Sequence, residues 1–406
     1  MPFSLSDILD RTFQDVVIGG PLFDPTTNVP NMVVYPIFPT DLSDRPTDVI
    51  TLKQGLRKGV RLSDTGVVSQ VHIHNPLPAA ILVGESDILI GPTQLRSVQF
   101  SCLIPPGRRA SLPVNCVEAG QPTVFQAEFN DAEACPWFLR SFKMEQLARH
   151  GESHQHRIWE HIKDYLRSTG TESSTQDISA VFDEFGGDVE RFSELFPLQP
   201  GQVGCVCAVG QDLFCEYFSA PEVLEDRYEL VLRSATVEAV AHPTHEVIPS
   251  QHVDSLLQEL AEASQGSKVV HSRSLQDGGR TQVFHGRGIS GSGLVSGGEL
   301  VHLTAHKRCW GQGQMFSEQL PDLEQDRKLR IAEQRDLLRR LADEYSSRRR
   351  QYRSYLKGVK PASVSASRRA LHVSVDDDQF SDDNPTPPPL PLNPGLHEFF
   401  LRLFRK

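Results

Sequence analysis

The sequence predicts an α+β fold: short, mostly antiparallel strands gathered into one or more sheets with several packed helices, followed by a charged helix and a disordered tail. Three observations predict it. Between residues 67 and 130, apolar side chains recur at period two in short runs separated by tight turns. Between 152 and 195, and again between 227 and 264, the period lengthens to that of a helix. The strands and helices come in clusters, so the strand-helix-strand repeat that builds a parallel sheet is missing.

Residues 1–29 read as a lead-in ending in a Pro- and Asn-rich turn, and residues 30–310 as the folded domain. Met32-Val33-Val34-Tyr35-Pro36-Ile37-Phe38 is a strand stopped by proline. Leu52 to Lys58 is a short helix closed by Gly59. From Val67 to His74, Val67, Ser69, Val71 and Ile73 share one face and Gln70, His72 and His74 the other, which predicts a half-buried strand. Ala79 to Val83, Ser97 to Ile104 and Ser111 to Val117 add three strands, broken by the turns Gly84-Glu85-Ser86 and Pro105-Pro106-Gly107. Antiparallel pairing follows from connections this short.

Ile158, Trp159, Ile162, Tyr165 and Leu166 line one face of a helix running from Glu152 to Leu166, and Ile178 to Leu195 is helical in parts. Val203 to Val209 and Leu213 to Phe218 form a hairpin around Gly210-Gln211-Asp212, and Arg227 to Ala241 and Val253 to Ser264 are helices. Gln282 to His285 and Glu299 to Ala305 are strands flanking a Gly/Ser-rich loop.

Beyond the domain, residues 322–357 read as a charged helix in which Ile331, Leu338, Tyr345 and Tyr352 recur every seven positions. The repeat is short for a coiled coil, so a helix docked on its own domain is at least as well supported. Residues 358–395 are rich in Ser, Asp and Pro and read as a linker. In the terminal peptide 396–406, Phe399, Phe400, Leu403 and Phe404 share a face, which suits docking on a protein partner or self-association.

A net charge of −11 argues against nucleic acid as the main partner, because phosphate contacts need a basic face. The Arg-rich run from Arg339 to Arg353 is the exception, and acids at Asp336, Asp343 and Glu344 offset part of it. No run reaches the roughly 18 apolar residues of a membrane span, and acids stand near the N-terminus where a secretory signal carries lysines, so the expected location is cytoplasmic. Seven scattered cysteines, Cys102, Cys116, Cys135, Cys205, Cys207, Cys215 and Cys309, fit reduced thiols rather than a disulfide scaffold.

Gly286-x-Gly288-x-x-Gly291 spells a dinucleotide fingerprint, but the residues after it make a poor helix, and the fingerprint works only when a helix N-terminus faces the pyrophosphate. A glycine-rich hairpin loop is the better reading. His72 and His74 point the same way from one strand, as metal ligands could, with Glu85 as a third; exposed histidines on a polar face are commoner, and no metal site is assigned. The stronger constellation is Glu85, Gln94, Arg96 and Glu118, all at or beside the turns of the short-strand region. Arg96 offers a fork for phosphate or carboxylate, Gln94 both donates and accepts, and Glu85 and Glu118 could divide acid and base roles. Surface charges with a structural ion pair remain the plain alternative.

The segment Asn75-Pro76, Gly84-Glu85, Gly91-Pro92-Thr93-Gln94-Leu95-Arg96, Leu103-Ile104-Pro105 and Val114-Asn115-Cys116-Val117-Glu118-Ala119-Gly120 resembles the ARG and Rhodanese-Phosphatase-superfamily-associated Protein domain family. The likeness continues through Gln155-x-x-Ile158-Trp159, Ser174-Thr175, Gln202-Val203-Gly204, the Leu213 to Phe218 strand and Leu300-Val301-His302-Leu303. It implies a cytosolic domain that binds or processes an NAD-derived nucleotide or an ADP-ribose-like ligand. On the matching positions Glu85 and Glu118 would be catalytic and Gln94, Arg96 and Gln155 would bind ligand, with no cofactor specified. Where the family usually has Arg-Trp after Glu-x-Gly, this chain has Gln121-Pro122, which removes a positive fork and a stacking ring and puts chemistry in doubt. The competing expectation is a non-catalytic scaffold built from a degenerate copy of the domain and its C-terminal tail.

Overall fold

Ser4 opens the first helix with a reciprocal cap: its hydroxyl accepts the Asp7 N–H, and the Asp7 carboxylate accepts the Ser4 N–H. The computed structural model describes residues 4–22, 32–41, 48–241, 251–270, 275 and 278–308, with five isolated positions at 332, 336, 339, 340 and 343. The first part of the chain forms α1 (Leu5–Gln14), β1 (Val16–Ile18), β2 (Met32–Pro39), β3 (Val49–Thr51) and α2 (Leu52–Arg57). A run of strands follows: β4 (Arg61–Asp64), β5 (Gln70–His74), β6 (Ala80–Val83), β7 (Asp87–Ile90), β8 (Arg96–Val98), β9 (Cys102–Ile104), β10 (Arg109–Cys116), β11 (Glu128–Phe129) and β12 (Asp131–Ala134). Next come α3 (Trp137–His150), α4 (Gln155–Thr169), α5 (Ala180–Ser193), β13 (Gly204–Val209), β14 (Asp212–Phe218) and α6 (Pro221–Ala241). The domain closes with α7 (Gln251–Asp254), α8 (Leu256–Ala263), β15 (Lys268–Val270), β16 (Arg280–Gly286), β17 (Ile289–Ser296) and β18 (Glu299–Arg308).

The predicted α+β class is the observed one, with strands in three sheets among the described residues. An eight-stranded sheet runs β1-β2-β13-β14-β18-β17-β16-β15, a seven-stranded sheet β11-β4-β5-β10-β8-β7-β12, and a small sheet β3-β6-β9. All pairings are antiparallel except β3 with β6.

Period two explains how the large sheet is buried on both faces. Met32 and Val34 of β2, with Cys205 and Cys207 of β13, enter a core shared with α3, α4, α5 and α6. Val33, Tyr35 and Ile37, with Val206 and Ala208, enter a second core under α1 and α8. A strand covered on both faces reads as an unbroken apolar run, as Met32 to Phe38 does. The strand ends at proline as expected: β2 stops at Pro39, and the internal Pro36 still offers its carbonyl to the Gly19 N–H at 2.7 Å. Cys205 and Cys207 share one face as predicted, their sulfurs 3.9 Å apart.

Two expectations need correction. Ser97 to Ile104 is two strands, β8 and β9, which belong to different sheets. The Gly/Ser-rich loop is itself a strand, β17, joined to β16 by a tight turn at Arg287-Gly288, where both residues have positive φ. Gly291 lies inside β17, and a Cβ there would meet the Phe284 ring at 2.4 Å, so the glycine makes room for an aromatic side chain rather than a pyrophosphate. A strand-turn-strand unit excludes the dinucleotide reading of this motif.

No helix among the described residues is long and apolar enough to cross a membrane. The linker at 358–395, the peptide at 396–406, Cys309 and most of the helix expected at 322–357 lie outside the described residues. The five described positions of that last segment are helical, and one of them touches the domain: Arg339 Nε donates to Asp188 of α5 at 2.7 Å.

Candidate functional site

Asp64, the last residue of β4, is where two loops meet. Its Oδ1 accepts the Gly66 N–H at 2.8 Å, and its Oδ2 accepts the Thr93 hydroxyl at 2.8 Å and lies 3.3 Å from Arg96 Nη2. Its carbonyl accepts the Gln126 N–H and its own N–H donates to the Ala127 carbonyl, both at 2.9 Å. Gly66 adopts φ +75°, which lets the chain turn back at once.

Arg96 begins β8 and is fully buried. Its Nη1 donates to Gln94 Oε1 at 2.6 Å, and Gln94 Nε2 donates onward to the Glu118 carbonyl at 2.8 Å. The Leu95 N–H closes the circuit on the Glu118 carboxylate at 3.2 Å. Arg96 Nε has no acceptor among the described residues. Gln155, the first residue of α4, locks the helix to β10 by accepting the Cys116 N–H and donating to the Cys116 carbonyl, both at 2.8 Å. Glu118 itself is half-buried and pairs with Asp177 in an isolated antiparallel bridge. Beside it Gly120 passes so close to Thr175 that a Cβ would lie 2.8 Å from the Thr175 Cα. Burial pushes the Asp177 carboxyl upward, against hydrogen bonds from Ser179 that pull it down.

Glu85 lies in a second network. Arg140 of α3 donates through Nε to Glu85 Oε1 at 2.8 Å, and its Nη2 also reaches Glu85, Glu216 of β14 and, at 3.0 Å, Thr304 of β18. His302 of β18 stands 2.8 Å from Glu216 through Nε2 and 2.9 Å from Ser101 Oγ through Nδ1, while the Glu85 N–H donates to that same hydroxyl at 3.0 Å. Lys143, one turn beyond Arg140, donates to the Glu85 carbonyl, Ser97 Oγ and the Val98 carbonyl at 2.6–2.8 Å. Arg140 also sits 3.7 Å above the Trp137 ring. Burial alone would raise the Glu216 carboxyl, but Arg140 and the His302 hydrogen bond outweigh it and hold it at about 2. The two carboxylates in turn raise Arg140, against the opposing effect of burial.

The five residues singled out in the sequence therefore divide. Gln94, Arg96, Glu118 and Gln155 converge on one frame around β8 and β10; Glu85 is held elsewhere, in the seam between the large sheet, α3 and the short-strand region. The two carboxylates read as an acid-base pair do not share a network: Glu85 is held by Arg140, and Glu118 by the Leu95 N–H. All members of the Arg140 network are at most 2% exposed, and together they join the large sheet, α3 and the short-strand region. His72 is exposed on β5 and faces Ser63 and Ser111 across the strands.

Sequence reasoning missed Asp64, Arg140, Lys143, Glu216 and His302. A trace was available for two of them, because Glu216 and His302 fall within stretches carrying the family likeness. For Arg140 and Lys143 there was none, since a cation within a helix reads as a solvent face until its partners, here 45 and more positions away, are known.

The family's sequence profile matches residues 22–306, which is most of the chain and all the elements that build both networks. The chain belongs to the ARG and Rhodanese-Phosphatase-superfamily-associated Protein domain family. Motifs that carried the likeness contribute to both networks: Glu85 and Glu216 meet at Arg140 and His302 meets Glu216, while Gln94-Leu95-Arg96, Glu118 and Gln155 contribute to the outer frame. No curated protein matches the chain. Among solved structures, the dehydratase domain from the CurF module of Curacin polyketide synthase aligns at 9% identity over 61% of this chain and 94% of that chain, with a TM-score of 0.09, which carries no argument.

Proposed function

We propose that this domain is a binding module for an NAD-derived nucleotide or ADP-ribose-like ligand, recognised at the outer frame through its ribose. The observation that carries the reading is the electrostatic balance there. One buried guanidinium, Arg96, serves Asp64, while Glu118 stands half-exposed with Asp177 beside it. A rim richer in carboxylate than in cation disfavours direct phosphate capture and suits ribose hydroxyls, which donate to a carboxylate. Arg96, being fully buried, acts as a positioning residue: through Gln94 it fixes the backbone that presents Glu118. Gln155 fixes the opposite edge.

Isothermal titration with ADP-ribose and NAD tests the reading on wild type and Glu118→Gln. The expected result is saturable binding by wild type and a loss of roughly tenfold in the variant, the size of one hydrogen bond to a charged group. Absence of binding by wild type, or equal binding by the variant, overturns it.

A second reading, a scaffold formed by the domain and its charged C-terminal helix, is favoured by one contact. Arg339 grips Asp188 through Nε at 2.7 Å and Nη2 at 3.4 Å, next to the exposed Gly187 of α5. If the helix docks there, Asp188→Ala exposes the 322–357 segment to limited trypsin digestion several-fold faster without changing the thermal midpoint of the domain. An unchanged digestion rate counts against the docking.

A further inference from the structure

Residues 64–67 and 124–127 form two adjoining loops, both tied to Asp64. The Val124 N–H donates to Thr93 Oγ1 at 2.9 Å, the same hydroxyl that donates to Asp64, while the Gln126 N–H and Gly66 N–H bond to Asp64 directly. Gln126 takes φ +63°, a conformation costly for a residue with a side chain, and the Ala127 N–H bonds back to the Val124 carbonyl at 3.0 Å. The loop is therefore fixed by its backbone, and it lifts Phe125 outward.

Phe125 is 67% exposed, Val67 50% and Val124 46%, the three most exposed of the large hydrophobic side chains among the described residues. Gly66 leaves open the space beside the ring, where a Cβ would lie 3.5 Å from Phe125 Cδ2. Leaving such side chains in water loses burial energy, so an exposed ring on a fixed loop, tied through Thr93 to the segment that carries Gln94, points to a contact surface. Its size selects the occupant. A stable protein interface covers about 800 Å² on each partner, far more than three side chains present. A single planar ring is covered by one phenyl face and two flanking methyl-bearing residues.

We infer that Phe125, flanked by Val67 and Val124, is the stacking platform for the base of a nucleotide whose ribose is held at Glu118. The inference rests on the ribose-binding reading above and adds to it the part of the ligand that is recognised by stacking. It also changes what Gln121-Pro122 means. The ring absent at position 122 is supplied three residues later, on the same loop, where Asp64 and Thr93 hold the backbone.

The test is a titration of wild type, Phe125→Ala and Phe125→Trp with two probes, ADP-ribose and ribose 5-phosphate, which lacks a base. Phe125→Ala is expected to bind ADP-ribose about tenfold or more weakly, the size of one lost base-aromatic stack, and ribose 5-phosphate as wild type does. Phe125→Trp is expected to equal or exceed wild type for ADP-ribose. Because the side chain is exposed, both variants retain the wild-type thermal midpoint. If wild type binds ADP-ribose and Phe125→Ala binds it equally, the stacking inference is overturned while the ribose reading stands. If wild type binds neither probe, both fall.

Discussion

Arg140→Met is expected to destabilise the domain by about 3–5 kcal/mol, the cost of stranding buried charge. The guanidinium pairs with Glu85 and Glu216 at once, and both carboxylates are essentially without exposure. Among the described residues, its loss leaves Glu216 only the His302 ring and the Thr304 hydroxyl as side-chain partners, and Glu85 Oε2 already has no hydrogen-bond partner. Urea unfolding followed by circular dichroism measures the loss. Adding Glu85→Gln and Glu216→Gln to Arg140→Met should recover much of it, because the uncompensated charge goes with them; a triple variant less stable than the single one would contradict the network. The pH dependence follows from Glu216. Its folded-state carboxyl lies at about 2, below the ordinary value of 4.5, so its contribution is complete above 4.5 and is lost as pH falls from there through 2. Without Arg140, burial dominates and the folded-state carboxyl moves up. Acid unfolding of Arg140→Met should accordingly begin at a higher pH than that of wild type.

Gly204→Ala is expected to cost about 3 kcal/mol, at the upper end for overpacking. The added Cβ would lie 2.3 Å from the Glu216 carbonyl and 3.0 Å from the Tyr217 Cα, both backbone atoms of the neighbouring strand. Gly204 pairs with Tyr217 on one side and Ile37 on the other, so neither β2 nor β14 can withdraw without breaking its own ladder. The strand displaced is the one that presents Glu216 to Arg140. Gly266→Ala is the control, since open space surrounds that position and the variant should unfold near the wild-type midpoint. Equal midpoints for the two variants would contradict the close approach.

These effects separate what was legible in the sequence from what was not. Period two in Val67 to His74 and period 3.6 in Ile158 to Leu166 report local burial, and the corresponding strand and helix are present as β5 and α4. Gln94, Arg96 and Glu118 could be found together because a strand and a turn bring positions 94–96 against 116–118. Arg140 could not, because its meaning depends on Glu85, Glu216 and Thr304, which reach it only after three layers have packed. The glycines of β17 misled for a related reason. Gly291 fits a strand because the Phe284 ring occupies the space its side chain would fill. That fact belongs to the partner strand rather than to the residue itself.

The roles assigned to the outer frame also changed with burial. Arg96 was expected to grip phosphate, yet it is enclosed and gives its donors to Gln94 and Asp64. What remains accessible is a carboxylate, Glu118, and an aromatic ring, Phe125, on a backbone stiffened from beneath. On the reading proposed above, they would take a ribose and a base.

The most direct test of the ligand site is a backbone amide chemical-shift map of the full chain titrated with ADP-ribose. Saturable shifts concentrated at residues 64–67, 93–96 and 116–127, and absent around Asp188 and Arg191 of α5, are the predicted result. Shifts centred on α5, or no saturable shifts at any position, would contradict the account.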